Sequence, residues 1–257
     1  MTRISTQERQ NSILDLLSRQ GEVLVDALSQ QFKTSEVTIR KDLRQLESES
    51  KLVRKFGGAV RINFQTKENE GSKVSFQKKS IARTAANLIQ EGDRVVLDSG
   101  STVLEILPFL LNRKDLVVMT NSLKVANLLT ASEYPPQILL TGGTWDQQSE
   151  AFQGKMAEQM LASYDFDIAF IGAAGLDPLR GTTTFNELTN LSNVMASNSS
   201  RVVVMAEASK LNRKIPNIEL PWSSVSTLIT DDSIDTNSLN SIIDQGVDVV
   251  RAKAEDI

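Results

Sequence analysis

Val37, Arg40, Lys41 and Arg44 set the first chemical constraint on this chain. At about 100° per residue they cluster within roughly 100° of a helical wheel. Ile39, Leu43 and Leu46 take a different, narrow side. A helix so divided packs on a core with one face and offers three cations with the other. Such a surface suits the major groove of DNA, where Arg and Lys meet phosphates and guanine edges. A solvated face paired with Glu36, Asp42 and Glu47 at three- and four-residue spacing is the plainer reading of the same residues.

A second set of polar and glycine residues recurs behind short β-branched runs. Asp98, Ser99, Gly100, Ser101 and Thr102 follow one run, and Thr120, Asn121 and Ser122 follow the next. Thr141 to Thr144, with Gly142 and Gly143, follow a third, and Gly172 opens the segment to Gly175 after a fourth. Glu187 closes Gly181–Glu187, and Lys210 ends Ala206–Lys210 after a fifth. Taken singly, such loops are turn residues and helix caps. Together at successive strand ends they predict an anion-binding rim, because ligands of open α/β sheets sit where strand carboxyl ends meet loops and helix starts. Asp98 and Glu187 also suit simple helix capping or first-turn positions, and Lys210 a solvated surface. Trp145 and Trp222 read as packing residues.

The cationic face requires a framework. Helices are expected over Gln7–Arg19 and Val25–Phe32, with Ile13, Leu14, Leu17, Leu28 and Phe32 inward. Thr34 or Ser35 caps the third, cationic helix. Two helices joined by a tight turn, the second basic, have helix-turn-helix spacing. Leu52–Phe56 and Ala59–Ile62 then flank Gly57-Gly58, predicting a two-stranded hairpin wing that carries Arg54, Lys55 and Arg61. This head covers residues 1–62; residues 63–75 read as a polar linker, and 76–257 as a second domain. There, strands at Arg94–Asp98, Leu116–Thr120, Gln137–Thr141, Phe166–Ile171, Arg201–Ala206, Thr227–Thr230 and Val247–Arg251 alternate with helical patterns. Those patterns include Lys79–Ile89, Thr102–Leu111, Leu123–Ala131, Lys155–Ser163 and Glu187–Asn198. Such alternation predicts an α/β fold with a mainly parallel sheet covered on both faces.

Composition narrows the chemistry further. The chain has 257 residues and neither cysteine nor histidine. Disulfides, thiol nucleophiles, Cys/His zinc sites and Ser-His-Asp catalysis are thereby excluded. No phosphate-loop or dinucleotide fingerprint is present, so no metal or cofactor is expected. No apolar run reaches the roughly 20 residues of a membrane span, and a reducing cytoplasmic location is expected. The net charge of −4 is uneven: residues 1–62 hold 11 Lys and Arg against 8 Asp and Glu, the remainder 17 against 24. A polyanion would therefore be bound by the head.

These residues resemble the DeoR-type bacterial transcription regulators over nearly the whole chain. In the head the resemblance lies in S-E-V-T-I-R-K-D-L-R-Q-L-E at Ser35–Glu47 and R-K-F-G-G-A-V at Arg54–Val60. In the body it lies in D-S-G-S-T, T-N-S, T-G-G, F-I-G, S-K and T-D, beginning at Asp98, Thr120, Thr141, Phe170, Ser209 and Thr230. T-T-F-N-E at Thr183–Glu187 looks most like the glucitol (sorbitol) operon repressor branch. Ala174 and Glu207 depart from the acidic or amide residue and the aspartate that many relatives carry there. The resemblance implies a winged helix-turn-helix repressor with a sugar-phosphate sensor of the ribose-5-phosphate isomerase type. It implies operator double-stranded DNA and a phosphorylated sugar or polyol as ligands, and a homo-oligomer that pairs two heads. The effector residues implied are Asp98 to Thr102, Thr120 to Ser122, Gly142, Gly143, Gly172, Glu187 and Lys210. The rival reading is a sugar-phosphate isomerase or deaminase with an appended DNA-binding head, using Asp98, Glu187 and Lys210 as acid–base groups.

Overall fold

A computed structural model describes residues 6–20, 22–48, 52–55, 58–61, 75–111, 113–147, 149–184, 190–213 and 215–253. The chain divides into two compact units, Met1–Ser72 and Lys73–Ile257. Residues 62–74, which contain most of the expected linker, lie outside the described residues.

The first unit contains helix α1 (Thr6–Gln20), strand β1 (Glu22–Leu24), helices α2 (Val25–Gln31) and α3 (Glu36–Ser48), and strands β2 (Leu52–Lys55) and β3 (Gly58–Arg61). Ile13, Leu17, Val23, Val25, Leu28, Ile39, Leu43, Leu46 and Leu52 form its core. Each fully buried aliphatic side chain contributes about 1.5–3 kcal/mol, so this short list is what holds the head together. The wing differs from the sequence reading in two ways. It has three strands in the order β1-β3-β2, because Glu22–Leu24 pairs with β3. Its turn also falls one residue earlier, since Gly58 pairs with Lys55 and is a strand residue. Residues 56–57, which join the strands, lie outside the described residues.

The second unit opens with α4 (Phe76–Ala86), capped by Ser75, whose Oγ accepts the Lys78 N–H at 3.2 Å. There follow β4 (Arg94–Leu97), α5 (Ser101–Leu104), β5 (Val117–Thr120), α6 (Leu123–Thr130), β6 (Gln137–Leu140), β7 (Thr144–Asp146) and β8 (Ala151–Gln153). Then come α7 (Lys155–Leu161), β9 (Phe166–Ile171), β10 (Gly175–Asp177), β11 (Gly181–Thr184), α8 (Leu191–Ser197) and β12 (Ser199–Met205). The last elements are β13 (Asn217–Pro221), β14 (Thr227–Asp231), α9 (Thr236–Ile243) and β15 (Asp248–Ala252).

All seven expected strands of this unit lie in one parallel sheet, ordered β15-β14-β12-β9-β4-β5-β6. Alternate side chains feed two cores, which is why these strands read as continuous apolar runs. Val95, Leu97, Ile168, Phe170, Val203 and Met205 face α4, α5 and α6, whereas Val96, Ala169, Ile171, Val204 and Leu228 face α7, α8 and α9. Two small antiparallel sheets, β7-β8 and β10-β11-β13, were not anticipated by the periodicity. The expected helix over Thr102–Leu111 is a short α5 followed by a 3-10 turn at Leu107–Phe109, with Pro108 inside it. The helix expected from Glu187 begins at Leu191, and residues 185–189 lie outside the described residues.

Chain order locates the crevice. From β4 the chain proceeds outward through β5 to the β6 edge, then returns to the other side of β4 at β9 and proceeds to β15. Strand order therefore reverses between β4 and β9, the position at which open α/β sheets hold their ligands.

Candidate functional site

In the first unit the cationic helix divides as its sequence requires. Ile39, Leu43 and Leu46 are at most 1% exposed, whereas Val37 is 76% exposed. Arg40, Lys41 and Arg44 are exposed and Thr38 is half-buried. Ser35, not Thr34, caps α3: its Oγ accepts the Thr38 N–H at 3.1 Å and lies 2.9 Å from Thr38 Oγ1. Arg40 pairs with Glu36 one turn back at 2.9 Å, in solvent. Lys41 and Arg44 have no partner among the described residues. The side chains of Arg54, Lys55 and Arg61 lie outside the described residues, although their strand positions in β2 and β3 are set by the ladder.

Asp42 is a correction. It does not balance the cationic face but points inward, where both carboxylate oxygens accept from Arg9 of α1, at 2.6 and 3.1 Å. Their side chains are 11% and 4% exposed. Gln10 donates to Gln45 beside them at 3.0 Å. A two-pronged, largely dry ion pair thus fixes how α3 is rolled on α1, and with it the direction of the cations.

In the second unit the carboxyl ends of the parallel strands bring part of the expected rim together. Asp98, behind β4, reaches across the reversal point and accepts the Gly172 N–H behind β9 at 3.1 Å. The two loops touch through glycine: a Cβ on Gly172 would stand 3.3 Å from the Gly100 Cα and 3.4 Å from Asp98 Oδ2. Burial raises the Asp98 pKa, against hydrogen bonds from Ser99, Gly172 and Asn121 that favour the carboxylate. Lys210, in the 3-10 turn Ala208–Asn212, donates to the Ala173 carbonyl at 2.5 Å. Burial, then the like charge of Arg213, lowers its pKa to about 8, opposed by Glu207 and Asp98. Asp98, Lys210 and Glu207 are only half-buried. Asp98 and Lys210 keep contact with solvent while burial desolvates their charges, as expected of groups at the mouth of a crevice.

Other expected members have structural work. Thr120 donates to the Leu97 carbonyl at 2.7 Å and accepts the Ser122 N–H, while Ser122 caps α6. Gly142 and Gly143 carry φ of 62° and 112°, and a Cβ on Gly143 would collide with the Gln153 carbonyl at 2.6 Å. They serve the entry to the β7-β8 hairpin. Ser99 and Ser101 are accessible in the Asp98 loop, whereas Thr102 is buried. Thr102 Oγ1 and Asn121 Oδ1 have no partner among the described residues. Glu187 lies outside the described residues. Trp222 is buried and donates to the Asp177 carbonyl at 2.9 Å, but Trp145 is 45% exposed, edge-on to Phe152.

Glu219 escaped the sequence reading. It sits on β13, part of an antiparallel sheet that begins three residues beyond Gly172, and accepts from Ser192 Oγ at 2.7 Å and Thr182 Oγ1 at 3.3 Å. Burial raises its pKa to about 7, helped by the charge of Asp98 and opposed by Lys210. The signal available was one carboxylate among Ile218, Leu220 and Pro221. Glu207 bonds Ser75, the cap of α4, at 2.7 Å, so the Lys210 loop is tied to the first turn of the unit. Among the described residues no group of acidic side chains suits a metal ion, and no helix is long and apolar enough to cross a membrane.

Comparison with known proteins agrees with this division. The DeoR-like helix-turn-helix domain matches residues 9–65, and the DeoR C terminal sensor domain matches residues 74–232. A protein of Escherichia coli O157:H7 that carries the name aga operon transcriptional repressor is 36% identical, over 95% of this chain and 93% of its own. Transcriptional repressor AccR of Agrobacterium fabrum is 32% identical over 88% and 90%. HTH-type transcriptional repressor GlcR of Bacillus subtilis is 30% identical over 94% and 99%. Ribose 5-phosphate isomerase A of Methanocaldococcus jannaschii matches 52% of each chain at 21% identity and a TM-score of 0.38. The matched family is one of regulators, so the isomerase or deaminase reading is set aside. With both of its domain types matched in order, and relatives of this identity along nearly the full length, the chain belongs to the DeoR family of DNA-binding transcriptional regulators.

Proposed function

We propose that this regulator is a cytoplasmic repressor of a sugar or polyol utilisation operon whose operator binding is set by a phosphorylated sugar or polyol. The observation that carries the DNA side is the division of α3: a dry Ile39-Leu43-Leu46 edge opposite exposed Val37, Arg40, Lys41 and Arg44. Val37, Thr38, Arg40, Lys41 and Arg44 enter the major groove with Ser35 at the helix start; Arg54, Lys55 and Arg61 hold phosphates from the wing. One such module makes few contacts, so two heads of a homo-oligomer act on paired half-sites. The effector occupies the crevice at the β4–β9 reversal, with Ser99, Gly100, Ser101 and Lys210 facing its phosphate. The Thr183–Glu187 segment favours a glucitol-type effector. Ligand acts by preferring one arrangement of heads, which requires unequal affinity for the two states.

The test is Arg44→Ala in fluorescence anisotropy with the DNA upstream of the adjacent sugar-metabolism genes, at fixed salt. A base-contacting Arg44 gives a loss of about 1–3 kcal/mol. Unchanged affinity removes Arg44 from the interface. Saturable binding of a sugar phosphate without turnover supports the sensor role, and turnover refutes it.

A further inference from the structure

Glu219 has no structural reason to be an acid. A carboxylate taken from water costs several kcal/mol unless it is paired, and among the described residues no Lys or Arg forms an ion pair with it. An apolar residue would suit a β13 position between Ile218 and Leu220 at no such cost. Instead two hydroxyls orient it, Ser192 on Oε1 and Thr182 on Oε2. Thr182 is itself fixed, because its Oγ1 also accepts the Leu220 N–H at 3.1 Å. Each carboxylate oxygen retains acceptor capacity beyond one bond. The residue as a whole is half-buried.

The surroundings fix what Glu219 can accept from. β10 starts three residues after Gly172, pairs with β11, and β11 pairs with β13, so the small sheet rises from the loop that Asp98 holds. Behind β4 and β5, Thr102 Oγ1 and Asn121 Oδ1 are buried without partners among the described residues. The crevice thus sets the carboxylates of Asp98 and Glu219 beside the Lys210 ammonium, with the charges of Arg213 and Lys78 nearby. Bare phosphate is repelled by Asp98 and Glu219. A phosphate that carries a polyhydroxyl chain brings O–H donors to satisfy them.

We propose that Glu219 is the specificity residue of the crevice, accepting a hydroxyl from the sugar or polyol part of the phosphorylated ligand. This rests on the sugar-phosphate sensor reading above and adds which side chain distinguishes the ligand from its phosphate alone. Ser192 and Thr182 act as positioning residues that aim the carboxylate.

The experiment is calorimetric titration of the full-length protein with sorbitol 6-phosphate, glucose 6-phosphate, ribose 5-phosphate and inorganic phosphate. For the sugar phosphate that binds wild type best, Glu219→Gln should lose about tenfold in affinity, the usual worth of a bond to a charged acceptor. Its affinity for inorganic phosphate should not fall. Ser192→Ala should lose about threefold, with the same selectivity signature. Thermal unfolding establishes that each variant is folded; Ser192→Ala carries the test if Glu219→Gln is not. If wild type binds none of the sugar phosphates, the sensor reading and this proposal fail together. If wild type binds and the variants select equally well, or lose sugar phosphate and phosphate affinity in parallel, the specificity role alone is overturned.

Discussion

Glu219→Gln also has a pH signature that requires no ligand. In the folded protein the Glu219 pKa rises from 4.5 to about 7. A carboxyl whose folded pKa is raised holds its proton more tightly in the folded state. Its contribution is therefore complete below about pH 4.5 and is lost as pH rises through about 7. A shift of about 2.5 units is worth about 3–4 kcal/mol at about 1.4 kcal/mol per unit, and about 2–3 kcal/mol of it falls between about pH 5 and pH 8. Glutamine does not titrate. One acceptor oxygen replaces two, so a bond to Thr182 or Ser192 weakens, but that offset is the same at every pH. Lys210, lowered to about 8, titrates in both proteins and largely cancels in the comparison. The stability of Glu219→Gln relative to wild type should thus rise by about 2–3 kcal/mol from about pH 5 to pH 8, or roughly 5–10 °C in midpoint for a unit of this size. Urea unfolding followed by tryptophan emission measures it cleanly, because Trp145 and Trp222 both belong to the second unit and Trp222 is buried. A difference between the proteins that is flat across this range would falsify the claim that the crevice desolvates this carboxyl.

Two further substitutions test the two frameworks. Asp42→Ala leaves the Arg9 guanidinium, 11% exposed, without its carboxylate and should cost the head about 3 kcal/mol. Operator binding should fall with it although no DNA-facing group is changed, and chemical denaturation of the head separates this from a contact effect; no loss of stability shows that the pair is not what rolls α3. Gly172→Ala places a methyl 3.3 Å from the Gly100 Cα and 3.4 Å from Asp98 Oδ2. Overpacking of that kind costs about 1–3 kcal/mol and should weaken sugar-phosphate binding more than operator binding, whereas a neutral effect on both disproves the close approach.

How far the sequence reached depended on the range of the interaction that decides each feature. Strand positions in the parallel sheet were legible because Val95–Leu97, Ile168–Ile171 and Val202–Val204 must be apolar on both faces wherever the sheet goes. The two sides of α3 were legible because helical period alone sorts Ile39 from Arg40. The third wing strand was not, since Glu22–Leu24 has no strand pattern of its own and is extended only because β3 offers it a ladder. The partner of Asp42 was hidden for the same reason: spacing along α3 makes it a neighbour of the cations, and only the packing of α1 turns it toward Arg9.

The crevice shows the same limit more sharply. Loops behind strands announced Asp98, Asn121, Gly172 and Lys210, because the rule that ligands gather at strand carboxyl ends is topological and strand order in sequence already implies it. Glu219 belongs to no such loop. It arrives from a strand of a separate antiparallel sheet, and its partners Thr182 and Ser192 are 37 and 27 residues away in sequence. Whatever binds here therefore meets a bank of loops that the parallel sheet must supply and a bank of β-structure that it need not. The first bank offers backbone amides and Lys210, groups suited to a phosphate that different sugar phosphates share. The second offers a carboxylate aimed by hydroxyls, suited to the part of the ligand that differs. If Glu219 selects the ligand as proposed, substitutions in β11, β13 and α8 should change the effector while the β4–β9 reversal and α3 stay as they are.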